Sequence, residues 1–89
     1  METLFSMGQT VITRAALDAL HPEDVKHALD RHSRGDWGDL DQHDWKENEI
    51  ALAEDLRLFS VYRDRSQNKF YVITECDRSS TTVLLPEDY

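Results

Sequence analysis

The chain holds one cysteine, two prolines and three glycines among 89 residues, and aromatic side chains make up only 9% of it. The solitary Cys76 excludes an internal disulfide and fits a reducing compartment, so a hydrophobic core and hydrogen bonds must hold the fold. Long apolar runs are also missing. No stretch approaches the roughly 20 residues that cross a bilayer. The start, METLFSMGQT, has neither the basic residues nor the apolar segment of a secretory leader. These absences point to a cytoplasmic protein without a membrane partner. No GxGxxG, GxxxxGK[ST] or GxSxG is present, which removes support for nucleotide binding and for the usual hydrolase elbow. No Pro-, Gly- or Ser-rich tract argues for disorder, and hydrophobic residues at 39% suffice for one small core. Residues 1–89 are therefore expected to form a single domain, with little room for a deep substrate cavity.

Positive charge is nearly absent from one region. Residues 35–55 carry eight carboxylates (Asp36, Asp39, Asp41, Asp44, Glu47, Glu49, Glu54 and Asp55) against Lys46 alone, a local charge of −7 in a chain of −8. The rest of the chain is close to neutral. A gathered acidic surface repels nucleic acid and anionic membranes and attracts basic partners.

What is present reads as helices followed by strands. In TVITRAALDAL a β-branched run, Thr10 to Thr13, gives way to helix formers at Arg14, with Thr13 as the N-cap. His21-Pro22 breaks that helix, and Pro22 suits the first position of the next, with Glu23 and Asp24 in its positive first turn. Val25, Ala28, Leu29 and His32 share one face. Gly35 is the expected stop, and Gly35 and Gly38 bracket a tight connection. Asp41 is placed to cap a third helix running to about Asp55, with Trp45, Leu52 and Leu56 as its buried stripe and Ala53 beside it. RLFSVYRD, KFYVITE and TTVLLP then read as strands, with DRSQNK and CDRSS as turns. The expected architecture is α+β, with two to three N-terminal helices packed on a three-stranded antiparallel C-terminal sheet.

The segment GDWGDLDQHDWKENE sets two tryptophans among six acids. It fails as an EF-hand loop. Counting from Asp36, the ligand positions 3 and 5 fall on Gly38 and Leu40, and the glycine position on Asp41. Zinc lacks an HExxH, and His27 and His32 are five apart, on different helix faces. Carboxylate catalysis requires one desolvated acid, which Trp37 or Trp45 would have to wall off, whereas solvated acids beside core or interface tryptophans need no special arrangement. Cys76 lies between Glu75 and Asp77, poor surroundings for an activated thiolate, with every histidine in the helical half. Arg78, Ser79 and Thr81 form a candidate anion site, although Ser, Thr and Asp also stabilise turns through their own backbone. No cofactor is expected.

Two segments carry a resemblance: GDWG (Gly35, Asp36, Trp37, Gly38) with Asn48 in the following helix, and an ITExDRSxTTxLLP ending. The latter is Ile73, Thr74, Glu75, Asp77, Arg78, Ser79, Thr81, Thr82, Leu84, Leu85 and Pro86. Over most of its length the chain resembles a family of small uncharacterised bacterial proteins of plasmids and other mobile elements, some bearing restriction-modification names. That resemblance implies a mobile-element context and no particular activity. The expected function is a non-enzymatic interaction module for a basic protein surface, such as that of a nucleic-acid-binding protein. Asp36, Trp37, Asp39, Asp41, Asp44, Glu47, Glu54 and Asp55 would be the contact residues. Two alternatives are an inhibitor of a restriction or CRISPR effector that mimics DNA, and a small enzyme or anion-binding protein that joins GDWG to DRSxTT in one site.

Overall fold

A computed structural model of the protein describes residues 3–89. The chain runs β1 (Gln9–Ile12), α1 (Arg14–Ala19), α2 (Pro22–Ser33), α3 (Gln42–Ala53), β2 (Leu58–Arg63), β3 (Lys69–Thr74) and β4 (Ser80–Leu84), and ends in a 3-10 turn, Pro86–Asp88. Local chemistry sets most of these limits. The Thr13 hydroxyl caps α1 by accepting from the Ala16 amide at 3.1 Å. It also donates to the Asp88 carboxylate at 2.7 Å, tying the last turn to the first helix. Pro22 opens α2, and Gly35, at φ +81°, follows its end. Asp41 caps α3 by accepting from the Asp44 amide at 2.8 Å.

The sheet has four strands in the order β1-β4-β3-β2. The last three form the expected antiparallel meander, with Val72 opposite Val83 and Ser60 opposite Val72. The fourth goes beyond the expected three strands: the run before α1, readable as a short strand or an extended lead, joins the same sheet as β1. Residues Gln9–Ile12 pair parallel with Ser80–Val83, so the sheet is mixed rather than wholly antiparallel. The pairing joins residues about 70 positions apart, and nothing local in a β-branched run names its neighbour.

All three helices cover one face. Ala16, Leu20, Val25 and Ala28 pack with Tyr62, Phe70, Val72, Val83 and Leu85. A second cluster under α3 holds Trp37, Ala51 and Leu58, flanked by Phe5, Leu40, Trp45 and Leu52. The α2 stripe is the one expected. On α3 the stripe differs: Asn48 and Ala51 are its buried residues, Ala53 is exposed, and Leu56 lies beyond the helix at 51% exposure. The chain leaves helical geometry at Asp55, at φ 55°, so Leu56 never reaches the angle that an unbroken helix would give it.

The free edge of β2 is closed by two devices. The Asn48 side chain donates to the Phe59 carbonyl at 2.6 Å and accepts from the Phe59 amide at 3.1 Å, standing in for a neighbouring strand. Next to it, residues 37–39 run alongside: the Val61 amide donates to Trp37 O at 3.2 Å, and the Asp39 amide donates to Val61 O at 2.7 Å. Only glycine fits between them. At Gly38, φ is +77° and a Cβ would sit 1.9 Å from the Val61 oxygen.

Candidate functional site

The acidic segment divides into paired and unpaired carboxylates. Asp36 receives Arg31 on both oxygens, at 2.8 and 3.3 Å, and this guanidinium holds its carboxyl below the usual carboxylate range. Asp39 lies 3.6 Å from Arg63. Among the described residues, Asp41, Asp44, Glu49, Glu54 and Asp55 have no ion pair, and Glu47 meets only His43, at 3.8 Å. Asp41 and Glu54 stand at the two ends of α3 as its caps.

Trp37 is the main correction to the expected contact surface. It is 0% exposed, the largest fully buried side chain, and its indole N–H donates to Glu49 at 3.4 Å. Its ring stacks on Phe5 at 6.3 Å and meets His32 edge-on at 5.5 Å. It anchors the core and is out of reach of a partner. Asp36 likewise serves the fold: besides Arg31, it accepts from the Gly38 amide at 3.2 Å, and its carbonyl accepts from the buried Tyr62 hydroxyl at 2.6 Å.

The available apolar surface of this region lies around Leu40. On one side a cleft of about 420 Å³ is lined by Leu40, Gln42, Trp45, Lys46 and Glu49. On the other, one of about 260 Å³ is lined by Leu40, Asp44, Glu47, Asn48 and Phe59. Half-buried Trp45, Leu40 and Phe59 thus supply apolar floors, and Asp44, Glu47 and Glu49 supply acidic rims. Leu40 and Phe59 were not readable as members of this surface, because one lies in a loop and the other on β2; only packing brings them beside α3.

The ending DRSxTT is used internally. Arg78, at φ 62°, donates from Nη1 to Leu56 O at 2.7 Å and Glu75 O at 3.1 Å, and from Nη2 to Ala51 O at 3.3 Å. Its guanidinium satisfies carbonyls at the C-terminal end of α3, which has no basic residue of its own in its last turn. Ser79 is exposed, and its amide bonds the Asp77 carboxylate at 3.0 Å, closing the turn; the Ser79 hydroxyl, and then this amide, lower the Asp77 pKa. Thr81 is fully buried. The anion-site expectation for Arg78, Ser79 and Thr81 therefore gives way to a turn and a helix cap.

Thr81 closes a chain of buried polar groups whose proton order follows from its last member. The Met7 carbonyl only accepts, so the Thr81 hydroxyl donates to it at 2.7 Å. Thr81 Oγ1 must then accept from Thr74 at 2.7 Å, and Thr74 Oγ1 from His32 Nε2 at 2.9 Å. This leaves His32 Nδ1 as the acceptor for the Ser60 hydroxyl at 2.5 Å. His32 is thus the neutral Nε2–H tautomer, 0% exposed, with both nitrogens bonded. Burial, and secondarily the Arg78 charge, lowers its pKa to about 3. A hydroxyl donating to an imidazole resembles an activated nucleophile, yet Ser60, Thr74 and Thr81 are each 0% exposed, so no substrate reaches them.

GDWG and DRSxTT do approach each other, from opposite sides of one core region. Arg78 lies over the Phe5 ring at 5.6 Å, and Phe5 stacks on Trp37. They meet through buried rings rather than around a concavity. Asp36, Trp37, Asp77 and Arg78 line neither of the clefts at Leu40, nor the one lined by Asp24, Arg31, Tyr62 and neighbours, nor the one lined by Ala19, Asn68, Pro86 and neighbours. Among the described residues, no three His, Cys, Asp or Glu side chains converge as a metal site. Among the described residues, no helix is long and apolar enough to cross a membrane. Comparison with protein-family models, curated proteins and solved structures returned no match.

Proposed function

We propose that the chain is a non-enzymatic interaction module whose α3 face receives a basic segment of a partner protein. The observation that carries this reading is the pair of apolar clefts flanking Leu40, one rimmed by Asp44 and Glu47, the other by Glu49 with Lys46 beside it. An apolar anchor enters beside Trp45 or Phe59, and lysines or arginines of the same segment meet the rims. Fully desolvated aromatic contacts supply most of the energy of such interfaces, and rim charges steer association and choose the partner. The revised contact set is Leu40, Asp44, Trp45, Glu47, Glu49 and Phe59, with Asp41, Glu54 and Asp55 contributing field only. Nucleic-acid-binding proteins, whose basic grooves suit this charge, are the favoured partners, and the resemblance to mobile-element proteins suggests a host restriction or CRISPR effector among them. The carboxylates lie on both flanks of α3 rather than in one row, which favours a bounded contact over imitation of a phosphate backbone.

Affinity capture from host lysate at low salt tests this, with Trp45→Ala and the triple variant Asp44→Asn, Glu47→Gln, Glu49→Gln as comparisons. A partner that elutes with moderate salt and is lost by both variants supports the reading. Retention of every captured protein by the triple variant refutes it. Protection of DNA from an identified effector would instead favour the mimic.

A further inference from the structure

The two edges of the sheet are treated differently. β2 is closed by Asn48 and residues 37–39, whereas β1, at the other end, has no such cover among the described residues. Its Gln9 amide donates to Ser79 O, and the Thr13 amide to Val83 O, both at 3.0 Å. Residues 9, 11 and 13 therefore face β4, and alternation turns the N–H and C=O groups of Thr10 and Ile12 outward. Neither residue has a backbone partner on that side among the described residues. Open edges are usually blunted by lysine, proline or a bulge. Here Thr3 to Thr13 contains no charged residue and no proline, in a chain with 31% charged residues.

We propose that β1 pairs antiparallel with β1 of a second copy, joining two four-stranded sheets into one. The register follows from which groups are free. Thr10 opposite Ile12 of the second copy, and the reciprocal pair, exchange both of their hydrogen bonds, which places the two-fold axis at Val11. The two Val11 side chains then meet across the axis as a non-hydrogen-bonded pair, where side chains come closest. Val11 is 42% exposed in the single chain, so it has surface to bury. Charge selects a second copy as the occupant. Two chains of −8 repel wherever acidic surfaces approach, and an uncharged strand is where they meet with least penalty. Because α3 packs on β2, at the far end of the strand order, this arrangement keeps the two acidic faces apart. The interface is isologous, so the pair closes without leaving a further free β1 edge.

Sedimentation equilibrium of the full chain over a concentration series decides the matter. The expected mass rises with concentration from 10.4 kDa toward twice that value. Thr10→Pro removes an outward amide without touching the β4 ladder, and Val11→Lys sets two cations together at the axis. Both should remain monomeric while keeping the wild-type far-ultraviolet spectrum, and Thr10→Ala should still dimerise. If Thr10→Pro fails to fold, Val11→Lys alone carries the test. A wild type that stays monomeric throughout overturns the proposal, as does a dimer that survives Val11→Lys. The acid-neutralised α3 triple variant should dimerise at least as well as wild type, which separates this surface from the α3 face.

Discussion

Acid should destabilise this protein well before its carboxylates begin to protonate, and His32 is the reason. In the unfolded chain the imidazole takes up a proton near its ordinary value of 6.5, whereas in the fold it resists until about 3. Between those values the unfolded state binds more protons, so stability falls as pH falls. The contribution is complete above about pH 6.5 and is lost progressively down to the folded value. Each pH unit inside the window costs about 1.4 kcal/mol, so by pH 4.5 the loss is on the order of 3 kcal/mol. That is a large part of the total stability of a small domain, roughly 5–15 kcal/mol. Asp36, Asp77 and Asp24, all lowered in the fold, add their own losses only near and below the ordinary aspartate value of 3.8. The window from 6.5 to 4.5 lies above these carboxylate losses, and comparison with a His32 variant separates this histidine from the other three. Urea denaturation followed by tryptophan fluorescence, at half-unit intervals of pH, measures the slope. His32→Gln keeps an amide able to reach Ser60 and Thr74; it should be less stable at pH 7 yet nearly flat across the window. Equal slopes in wild type and His32→Gln would refute the assignment of the effect to this residue.

Three other substitutions test the packing. Trp37→Ala should cost about 3–5 kcal/mol in chemical denaturation, because a fully buried indole is removed from the second cluster. A folded variant with unchanged midpoint would return Trp37 to the surface. Asn48→Leu strands the amide and carbonyl of Phe59 and should cost about 2–4 kcal/mol, with faster hydrogen exchange at the Phe59 amide as its local mark. Gly38→Ala forces a side chain into the Val61 carbonyl at positive φ and should lower the thermal midpoint by several degrees, with exchange at Val61 accelerated.

How much of this was legible depends on how far apart the interacting groups lie. The α2 stripe of Val25, Ala28, Leu29 and His32 was readable from spacing, since a helix places those residues together whatever it packs against. The same reasoning failed on α3, where it required Leu56 to continue a helix that in fact ends at Ala53. Trp37 was legible as a core or interface anchor, and Thr81 as a strand hydroxyl and candidate anion ligand; only packing made both interior. Arg78 shows the reason: a guanidinium in a polar turn advertises an anion, but three-dimensional packing offers it first the Ala51 carbonyl of α3 and the Leu56 carbonyl just beyond it.

By itself the sequence determined the run of helices followed by three strands, the caps at Thr13 and Asp41, the proline-led start of α2 and the concentration of acid between residues 35 and 55. These depend on neighbours within a few positions, where backbone sterics and side-chain reach leave little freedom. Tertiary structure alone decided that β1 joins the sheet parallel to β4, that Asn48 closes the β2 edge, and that His32 sits in a line of hydroxyls from three strands ending on a loop carbonyl. It also decided which acids remain available, since Arg31 and Arg63 engage two of them from elsewhere in the chain. Apart from the near-neighbour pair Arg31–Asp36, these contacts join groups well separated in sequence, and their energies depend on burial and distance that exist only once the layers have packed.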